Sequence, residues 1–296
     1  MDHAGGVSAL DFALVDVFAD EPLAGNPLAV VEGGEALSDD VLARVAREFN
    51  QSETTFVLPS PAGATRRLRS FTAGGAEVTG AGHNSLGAWW WLVDSGRVQA
   101  GARTQELGPD VLDVDVRDRA GRKVVRLRQA PAALGAIGDL GAELAPALGL
   151  AGADLVRDTA PVVSTGTPHL LVEASDPAAV DRAGPDAAAL APLLARAGAQ
   201  GCYLFALTGG AGADAYARFF NPTVGLWEDP ATGSAACPLA WWIAHEDGGR
   251  SAVAIEQGHA MGRPSRIEVE LDGDEVTLVG SAVLVAEGRL QLPGSS

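Results

Sequence analysis

The two halves of the chain repeat each other, and this repeat limits the fold more than any other feature of the sequence. Residues 69–72, Arg-Ser-Phe-Thr, match residues 218–221, Arg-Phe-Phe-Asn, at an offset of 149 (218 − 69). Residues 25–31 match residues 166–172 more weakly, at an offset of 141 (166 − 25). Each half places a Gly-x-Pro turn and strand first, then an Arg-x-Phe strand, then a turn and a helix. A repeated order of this kind predicts a duplicated unit, so we expect two similar domains.

Each half also has a turn of small residues that leads into a helix without charge. The turn at residues 228–234 reads Glu-Asp-Pro-Ala-Thr-Gly-Ser and precedes an uncharged run to residue 244. Residues 80–92 have the same character and contain three consecutive tryptophans, which cannot share one helical face. We therefore expect strands to wrap each central helix. A helix start offers unpaired N–H groups and a partial positive charge, which hold an anion, and a pseudo-twofold would bring two such starts together across a cleft.

Composition excludes several classes of function. The chain has 296 residues, of which 47% are apolar, and this is enough for two domains of ordinary size. Its formal charge of −17, with Lys123 as its one lysine, repels phosphate backbones, so we expect no nucleic-acid partner. Cys202 and Cys237 show neither metal-site spacing nor a disulfide framework. Because we find no signal peptide and no membrane-spanning apolar run, we expect a cytoplasmic protein without a membrane partner.

The repeat also predicts where the domains begin and end. We expect a first domain at residues 1–130, completed by a last strand at about 281–296, and a second domain at residues 131–280. Residues 131–141 are the best candidate for a linker, and the second copy of the repeat is expected to start around Pro161.

Several local structures can be predicted at this stage. Residues 131–160 are rich in Ala and Gly and indicate a crossover of loop and short helix. Residues 176–196 indicate one helical stretch that follows an Asp-Pro start. Asn84 or Ser85 is expected to cap the tryptophan-rich helix, which should end at Gly96.

Two carboxylates stand where chemistry could occur, although each also has a plain structural interpretation. Asp229 either stands at the rim of an anion-binding turn or simply caps the helix that follows. Glu53 lies between Ser52 and Thr54, just before a run of strand-forming residues. It is either a surface residue or a functional carboxylate at the entrance of a strand, and the residues alone leave both alternatives open.

Other catalytic classes are not favoured. Residues 82–87, Gly-His-Asn-Ser-Leu-Gly, look like a hydrolase elbow, but Gly-x-Ser-x-Gly needs one residue fewer before the serine. The sequence contains neither a Rossmann fingerprint nor a phosphate-binding loop. His169, His245 and His259 are scattered and are interpreted as structural or surface residues, and Cys237 as part of the core.

Four motifs together resemble one known family. They are Phe-Asn-Gln-Ser-Glu-Thr-Thr-Phe-Val at 49–57, Gly-His at 82–83, Glu-Asp-Pro-Ala-Thr-Gly-Ser-Ala at 228–235 and Gln-Gly-x-x-Met-Gly-Arg-Pro-Ser at 257–265. They are similar to motifs of the PhzF-like isomerases of phenazine biosynthesis. The resemblance implies an α+β fold of the diaminopimelate-epimerase type, in which two similar domains each form a β-barrel-like roll around a central helix, with the active site between them. It also implies acid–base catalysis without a cofactor, and a homodimer.

The resemblance assigns roles to individual residues. Glu53 matches the catalytic glutamate, and His83, Asp229 and Ser234 match residues that assist it. A carboxylate suits proton transfer from carbon if burial raises its pKa, so we expect Glu53 to move a proton between two carbons on one face of a small carboxylate-bearing metabolite. The expected site contains no metal, and its residues are Glu53, His83 and Asp229 for catalysis and Thr232, Gly233, Ser234, Asn84 and Ser85 for substrate binding.

The residue after Gly-His departs from the family pattern, because Asn84 stands where a proline is usual. This difference leaves the substrate open. Related epimerases use one cysteine in each turn, whereas this chain has His83 in one turn and Thr232 or Ser234 in the other, which disfavours a two-thiol racemase. An epimerase or racemase of an amino-acid-like substrate and a non-catalytic small-molecule-binding protein are the alternatives.

Overall fold

The computed structural model describes residues 9–292 apart from residues 210, 211 and 225. It divides into two compact units, each of which mixes strands and helices. The first unit consists of the chain up to Leu127 together with the part from Gly280 onwards, and the second consists of Arg128–Val279. No helix among the residues described is long and apolar enough to cross a membrane.

The elements follow a regular order along the chain. The first part forms β1 (Ala9–Val17), β2 (Asn26–Glu32), α1 (Asp39–Phe49), β3 (Glu53–Leu58), β4 (Arg66–Thr72), β5 (Glu77–Val78), α2 (His83–Asp94), β6 (Gly101–Leu107), β7 (Asp110–Arg119) and β8 (Arg122–Arg128). The second part forms β9 (Ala133–Asp139), α3 (Leu144–Ala147), β10 (Thr159–Ser164), β11 (Pro168–Glu173), α4 (Pro177–Arg182), α5 (Ala187–Ala197), β12 (Gly201–Leu207), β13 (Ala215–Asn221), β14 (Leu226–Asp229), α6 (Gly233–Glu246), β15 (Ala252–Gln257), β16 (Ser265–Asp272) and β17 (Glu275–Gly280). The last strand is β18 (Ala282–Gln291).

The two units share one pattern of strand pairing. In the first unit β18, β1 and β2 are antiparallel neighbours, β2 is parallel to β3, β3 is antiparallel to β4, and β4 is parallel to β6, which continues antiparallel through β7 and β8. In the second unit β9, β10, β11, β12, β13, β15, β16 and β17 repeat the same pairings in the same order. The duplication predicted from the repeated motifs is confirmed.

The central helix of the first unit is buried on every side. All residues at 84–93 are buried, and α2 packs against β1, β2, β3, β7 and β18. Because consecutive tryptophans at 89–91 point in different directions, a wall of strands around the helix is needed to cover all of them. Gly87 permits the closest approach, since a Cβ there would lie 2.6 Å from Cδ2 of Leu28 and 2.7 Å from Cγ2 of Val17.

The central helix of the second unit is enclosed in the same way. α6 packs against β10, β11, β15 and β16, and its buried residues include the run 235–241. Gly233, its first residue, lies so close to β17 that a Cβ would stand 2.7 Å from Cδ2 of Leu278. Each unit is therefore a roll of strands around one apolar helix, and the predicted α+β fold class is confirmed.

Two predictions about the middle of the chain are wrong. Residues 131–141 are not a linker, because β9 lies there and pairs antiparallel with β10. The second copy accordingly does not start around Pro161 but includes β9. The sequence of β9 is Ala-Leu-Gly-Ala-Ile-Gly-Asp, and such small residues carry almost no strand signal.

Two helix predictions also need correction. Residues 176–196 form two helices, α4 and α5, because Gly184 and Pro185 interrupt the helical backbone between them. Neither Asn84 nor Ser85 is the N-cap of α2. The cap position is Gly82, which has no side chain to accept a hydrogen bond, and Asn84 lies within the first helical turn.

Candidate active site

Glu53 is the first residue of β3, and the end of α1 fixes its place. Asn50 closes α1 in the left-handed conformation (φ 51°), which asparagine tolerates better than most residues. Glu53 then lies in register with Leu28 of β2 and Thr72 of β4. The side chain is half-buried, and its Oε2 is shielded from solvent. This partial shielding from solvent favours the interpretation of Glu53 as a base over its interpretation as a solvated surface residue.

His83 is the first residue of α2. Burial lowers the pKa of its imidazole to about 4, so the ring is neutral at physiological pH. Its Nε2 is buried and makes no hydrogen bond to any of the residues that the structure describes. A neutral imidazole has one donor and one acceptor nitrogen, so it can hold a polar group and also pass a proton.

Asn84 uses all four of its side-chain hydrogen-bonding positions within the protein. Its Oδ1 accepts from the N–H of Gly82 and from the N–H of Ser85, both at 2.8 Å. Its Nδ2 donates to the carbonyl oxygen of Gly80 at 2.9 Å and to Oγ of Ser70 at 3.1 Å. Asn84 is 1% exposed, so a direct contact with substrate would require breaking one of these bonds.

Ser85 follows in the same helical turn. It is fully buried, and its Oγ has no hydrogen-bond partner among the described residues. Asn84 takes up the N–H of Ser85, but no hydrogen bond among the described residues involves the N–H of His83 or of Asn84, so the start of α2 keeps two donors for an anion.

The start of α6 also keeps two donors. The carbonyl oxygen of Thr232 accepts from the N–H groups of Ala235 and Ala236. Among the hydrogen bonds of the described residues, none involves the N–H of Gly233 or of Ser234. These two N–H groups are free, as expected for the first turn of a helix, and Ser234 is half-buried with its hydroxyl beside them. Each helix start can therefore hold an anion, and the first turn of α6 also contains the hydroxyl of Ser234.

Asp229 ends β14 and is held by the turn that follows. It is 6% exposed, and its Oδ2 accepts from Oγ1 of Thr232 at 2.5 Å. Gln257 braces this turn from β15: its Nε2 donates to the carbonyl oxygen of Asp229 at 2.6 Å and to Oγ1 of Thr232 at 3.0 Å. Its Oε1 accepts from the N–H of Thr232 at 3.2 Å and from the hydroxyl of Tyr203 at 2.8 Å. One buried amide thus fixes the Asp229 carboxylate and the start of α6 together.

The turn after Gln257 completes this support. Gly258 has a positive φ of 83°, and a Cβ there would lie 2.5 Å from the carbonyl oxygen of Pro230. Oγ of Ser265 donates to the same Pro230 oxygen and to the carbonyl oxygen of Gln257, both at 3.1 Å. The motif at 257–265 was noted in the sequence without a role, and the structure shows that it holds the Asp229 turn.

Comparison with known proteins shows which family this chain belongs to. A family profile described as phenazine biosynthesis-like protein (PhzC-PhzF) matches residues 15–288. The chain belongs to this PhzF family. The trans-2,3-dihydro-3-hydroxyanthranilate isomerase of Pseudomonas aeruginosa is 35% identical over 95% of this chain and 99% of its own length.

Solved structures give the same fold. A PhzF-family protein of Bacillus anthracis superposes with a TM-score of 0.87 at 24% identity and covers 97% of this chain and 100% of its own. A hydroxyproline epimerase of Agrobacterium vitis, 13% identical, superposes with a TM-score of 0.65 over 97% of this chain and 94% of its own. The epimerase-like fold and the isomerase class expected from the sequence are confirmed for this PhzF-family chain. The roles of single residues stay predictions.

The two units of this PhzF-family protein place the expected residues in two groups. Glu53, His83, Asn84 and Ser85 belong to the first unit. The second unit contains Asp229, Thr232, Gly233 and Ser234. That the two groups face one substrate stays a prediction of the sequence.

Strand register identifies the counterpart of Glu53 in the second unit. In the first unit Leu28 of β2 lies beside Glu53 of the parallel strand β3, and in the second unit His169 of β11 lies beside Gly201 of β12. Gly201 thus occupies the position that Glu53 occupies in the first copy. A Cβ at Gly201 would lie 2.5 Å from the ring of Phe219 and 3.3 Å from Nδ1 of His169. The second copy therefore has no carboxylate at this position, and a side chain there would require the Phe219 ring to move.

The cysteines are unsuited to replace a carboxylate base. Cys237 is fully buried in α6, and burial raises the pKa of its thiol far above physiological pH. Burial likewise raises the pKa of Cys202 to about 12. Since the thiolate is the reactive form, neither thiol is suited to act as a base, and the core position expected for Cys237 is confirmed.

Proposed function

We propose that this isomerase moves a proton between two carbons of a small carboxylate-bearing metabolite, with Glu53 as its single base and without a cofactor. The observation that carries this proposal is the strand register, which places Gly201 in the second unit at the position that Glu53 occupies in the first. A single base that takes a proton from one carbon and returns it to another carbon on the same face produces an isomer. Inversion at one carbon is better served by two bases on opposite faces. The two turns lack the paired cysteines of the related epimerases, and the second unit has no carboxylate at the position of Glu53, so a single base is favoured.

His83 and Asp229 are proposed to assist Glu53. At neutral pH the His83 imidazole is uncharged, which lets it donate to a substrate oxygen or nitrogen, or accept a proton from one, without placing a positive charge beside the carboxylate base. Asp229 is fixed by Thr232 and Gln257, so it can hold a substrate amine or hydroxyl in one orientation. Their task is to position the substrate and stabilise the charge that forms when the proton leaves carbon.

The substrate carboxylate is proposed to bind at the start of α6. The free N–H groups of Gly233 and Ser234 and the hydroxyl of Ser234 can donate to it, and the helix dipole favours negative charge there. Thr232 contributes only by shaping the turn, because its N–H already binds Gln257 and its hydroxyl already binds Asp229. The sequence-based expectation gave both helix starts this task, and the N–H groups of His83 and Asn84 at the start of α2 also have no partner among the described residues.

The first test substrate is trans-2,3-dihydro-3-hydroxyanthranilate, which the Pseudomonas aeruginosa relative isomerises according to its name. It carries the carboxylate and amine that the proposed contacts would hold. Glu53→Gln keeps the size of the side chain but removes the base, so we expect kcat to fall by about 10²–10⁴-fold with an unchanged fold. Glu21→Gln, at an exposed carboxylate, is the matched control and should keep full activity.

Solvent deuterium exchange extends the test to other metabolites. Catalysed exchange into any carboxylate-bearing compound of a panel would identify a substrate class even if turnover is slow. Full turnover by Glu53→Gln would refute the role of Glu53. Absence of exchange across the panel, together with binding of a panel member, would favour the small-molecule-binding protein instead.

A further inference from the structure

Buried hydrogen bonds connect the strand that begins with Glu53 to the turn that carries His83. Thr55, two residues after Glu53, shares a 2.9 Å hydrogen bond between its Oγ1 and Oγ of Ser70 on the neighbouring strand β4. Ser70 Oγ in turn accepts from Nδ2 of Asn84 at 3.1 Å. Thr55 and Ser70 are fully buried and Asn84 is 1% exposed, so solvent cannot easily substitute for these bonds.

The same carboxamide fixes the backbone on both sides of His83. Its Oδ1 accepts from the N–H of the residue before His83, Gly82, and from the N–H of Ser85. Apolar packing of α2 against strands limits its distance from them but leaves small rotations and shifts of the first turn possible. Directional hydrogen bonds in a dry environment remove that freedom. The orientation of His83 relative to β3 therefore depends on Asn84.

The fold itself does not require this network. Strand register makes Phe219 the counterpart of Ser70, and a phenylalanine side chain cannot make an equivalent hydrogen bond. The second unit nevertheless forms the same roll around α6. Proline, which is usual after Gly-His in the family, could make none of the four bonds either. A network that this fold does not need, placed between two expected site residues, points to a role in the site.

We infer that Asn84 is a positioning residue, a buried strut that holds the His83 turn in a fixed place relative to the strand of Glu53. This inference rests on the proposed roles of Glu53 and His83. It replaces the substrate-binding role expected for Asn84 from the sequence, because the side chain has no hydrogen-bonding position left for a ligand. It also explains how this chain does without the usual proline, since the strut restrains the turn by hydrogen bonds instead of a ring.

The test compares Asn84→Ala, Ser70→Ala and the double variant. A displacement of about 1 Å in a positioned catalytic group can slow a reaction by about 10²-fold, so we expect Asn84→Ala to lower kcat by about 10–100-fold with KM changed less than about threefold. Ser70→Ala should lower kcat in the same direction but by a smaller factor. Because both changes interrupt the same chain of hydrogen bonds from Thr55 through Ser70 to Asn84, the double variant should be no slower than Asn84→Ala alone.

A second readout does not depend on turnover. In ¹³C-labelled protein the ring signal of His83, assigned by its loss in His83→Gln, should titrate near pH 4 in the wild type. Loosening the turn admits water, so the titration should move towards pH 6.5 in Asn84→Ala. This readout remains valid if Glu53→Gln shows that the proposed function is wrong.

Gln105→Leu is the matched control. Gln105 is fully buried in the same unit and accepts from the indole N–H of Trp89 at 2.8 Å, but it has no bond to the strut. We expect this variant to lose stability while kcat and the His83 titration stay as in the wild type. Wild-type kcat and wild-type His83 titration in Ser70→Ala and in Asn84→Ala would overturn the inference, and so would losses that simply add in the double variant. If Asn84→Ala does not fold, Ser70→Ala decides by the same two readouts.

Discussion

Replacing Gln257 by leucine is expected to release the turn that carries Asp229. Leucine has nearly the same volume as glutamine, so little cavity or overpacking results, but four hydrogen bonds disappear. The hydroxyl of Tyr203 and the N–H of Thr232 both lose the Oε1 atom that accepts from them. Tyr203 is fully buried and Thr232 is 8% exposed, so water does not readily replace that acceptor.

The magnitude follows from the two orphaned donors. A buried donor without an acceptor costs about 1–3 kcal/mol, so Gln257→Leu should reduce the free energy of unfolding by about 2–6 kcal/mol. This is a large share of the roughly 5–15 kcal/mol that holds an ordinary domain together. Adding Tyr203→Phe removes one orphaned donor, so the double variant should regain about 1–3 kcal/mol relative to Gln257→Leu.

Urea unfolding followed by tryptophan fluorescence and by circular dichroism measures these differences. α6 contains two of the tryptophans, Trp241 and Trp242, and reports on the second unit. A free energy of unfolding for Gln257→Leu within about 0.5 kcal/mol of the wild type would refute the reasoning. The reasoning would also be refuted if the two losses simply added, so that Tyr203→Phe lowered the free energy of unfolding as much in the Gln257→Leu background as in the wild type.

Three further outcomes are expected. His169→Leu introduces the residue found at the equivalent position of the first unit, Leu28, and removes two buried nitrogens without a hydrogen-bond partner among the described residues. Burial lowers the pKa of His169 to about 4, while the unfolded histidine titrates near 6.5, so wild-type stability falls as the pH drops between these values. Urea unfolding should therefore show the stability of the variant rising by up to about 3 kcal/mol relative to the wild type across that pH range. A stability difference that does not depend on pH would contradict this. Gly201→Ala should lower stability in thermal unfolding by about 1–3 kcal/mol because its Cβ meets the Phe219 ring, and a neutral effect would mean that the ring can move aside. Light scattering after size exclusion should give twice the chain mass of 30.2 kDa if the homodimer implied by the family resemblance forms, and a single-chain mass would remove that prediction.

The architecture was predictable because its signals are local or repeated in the sequence. Two matched motif pairs predicted the duplicated unit, and the tryptophans at 89–91 predicted a helix surrounded by strands. β9 was missed because its alanines and glycines show no alternation of apolar and polar residues. Only its pairing with β10 makes it a strand, and that pairing is set by the fold as a whole.

The candidate residues were predictable from motifs, but their supports were not. Gln257 is 25 residues from Thr232 and 54 residues from Tyr203, so no sequence pattern links them. Asn84 was noticed as a departure from the usual proline, and its partner Ser70 lies in a motif that was read only as part of the repeat. Hydrogen bonds between distant buried side chains depend on strand register, which these sequence motifs did not determine.

The most direct test of the central claim, that Glu53 acts as a single base, is the stereochemistry of proton transfer. The measurement uses trans-2,3-dihydro-3-hydroxyanthranilate, or a substrate found by exchange, with deuterium at the carbon that loses its proton. NMR of the product then determines the face to which the new hydrogen is delivered. We predict delivery to the same face from which the deuterium left, and loss of the reaction in Glu53→Gln. Delivery to the opposite face would require a second base and would contradict the account.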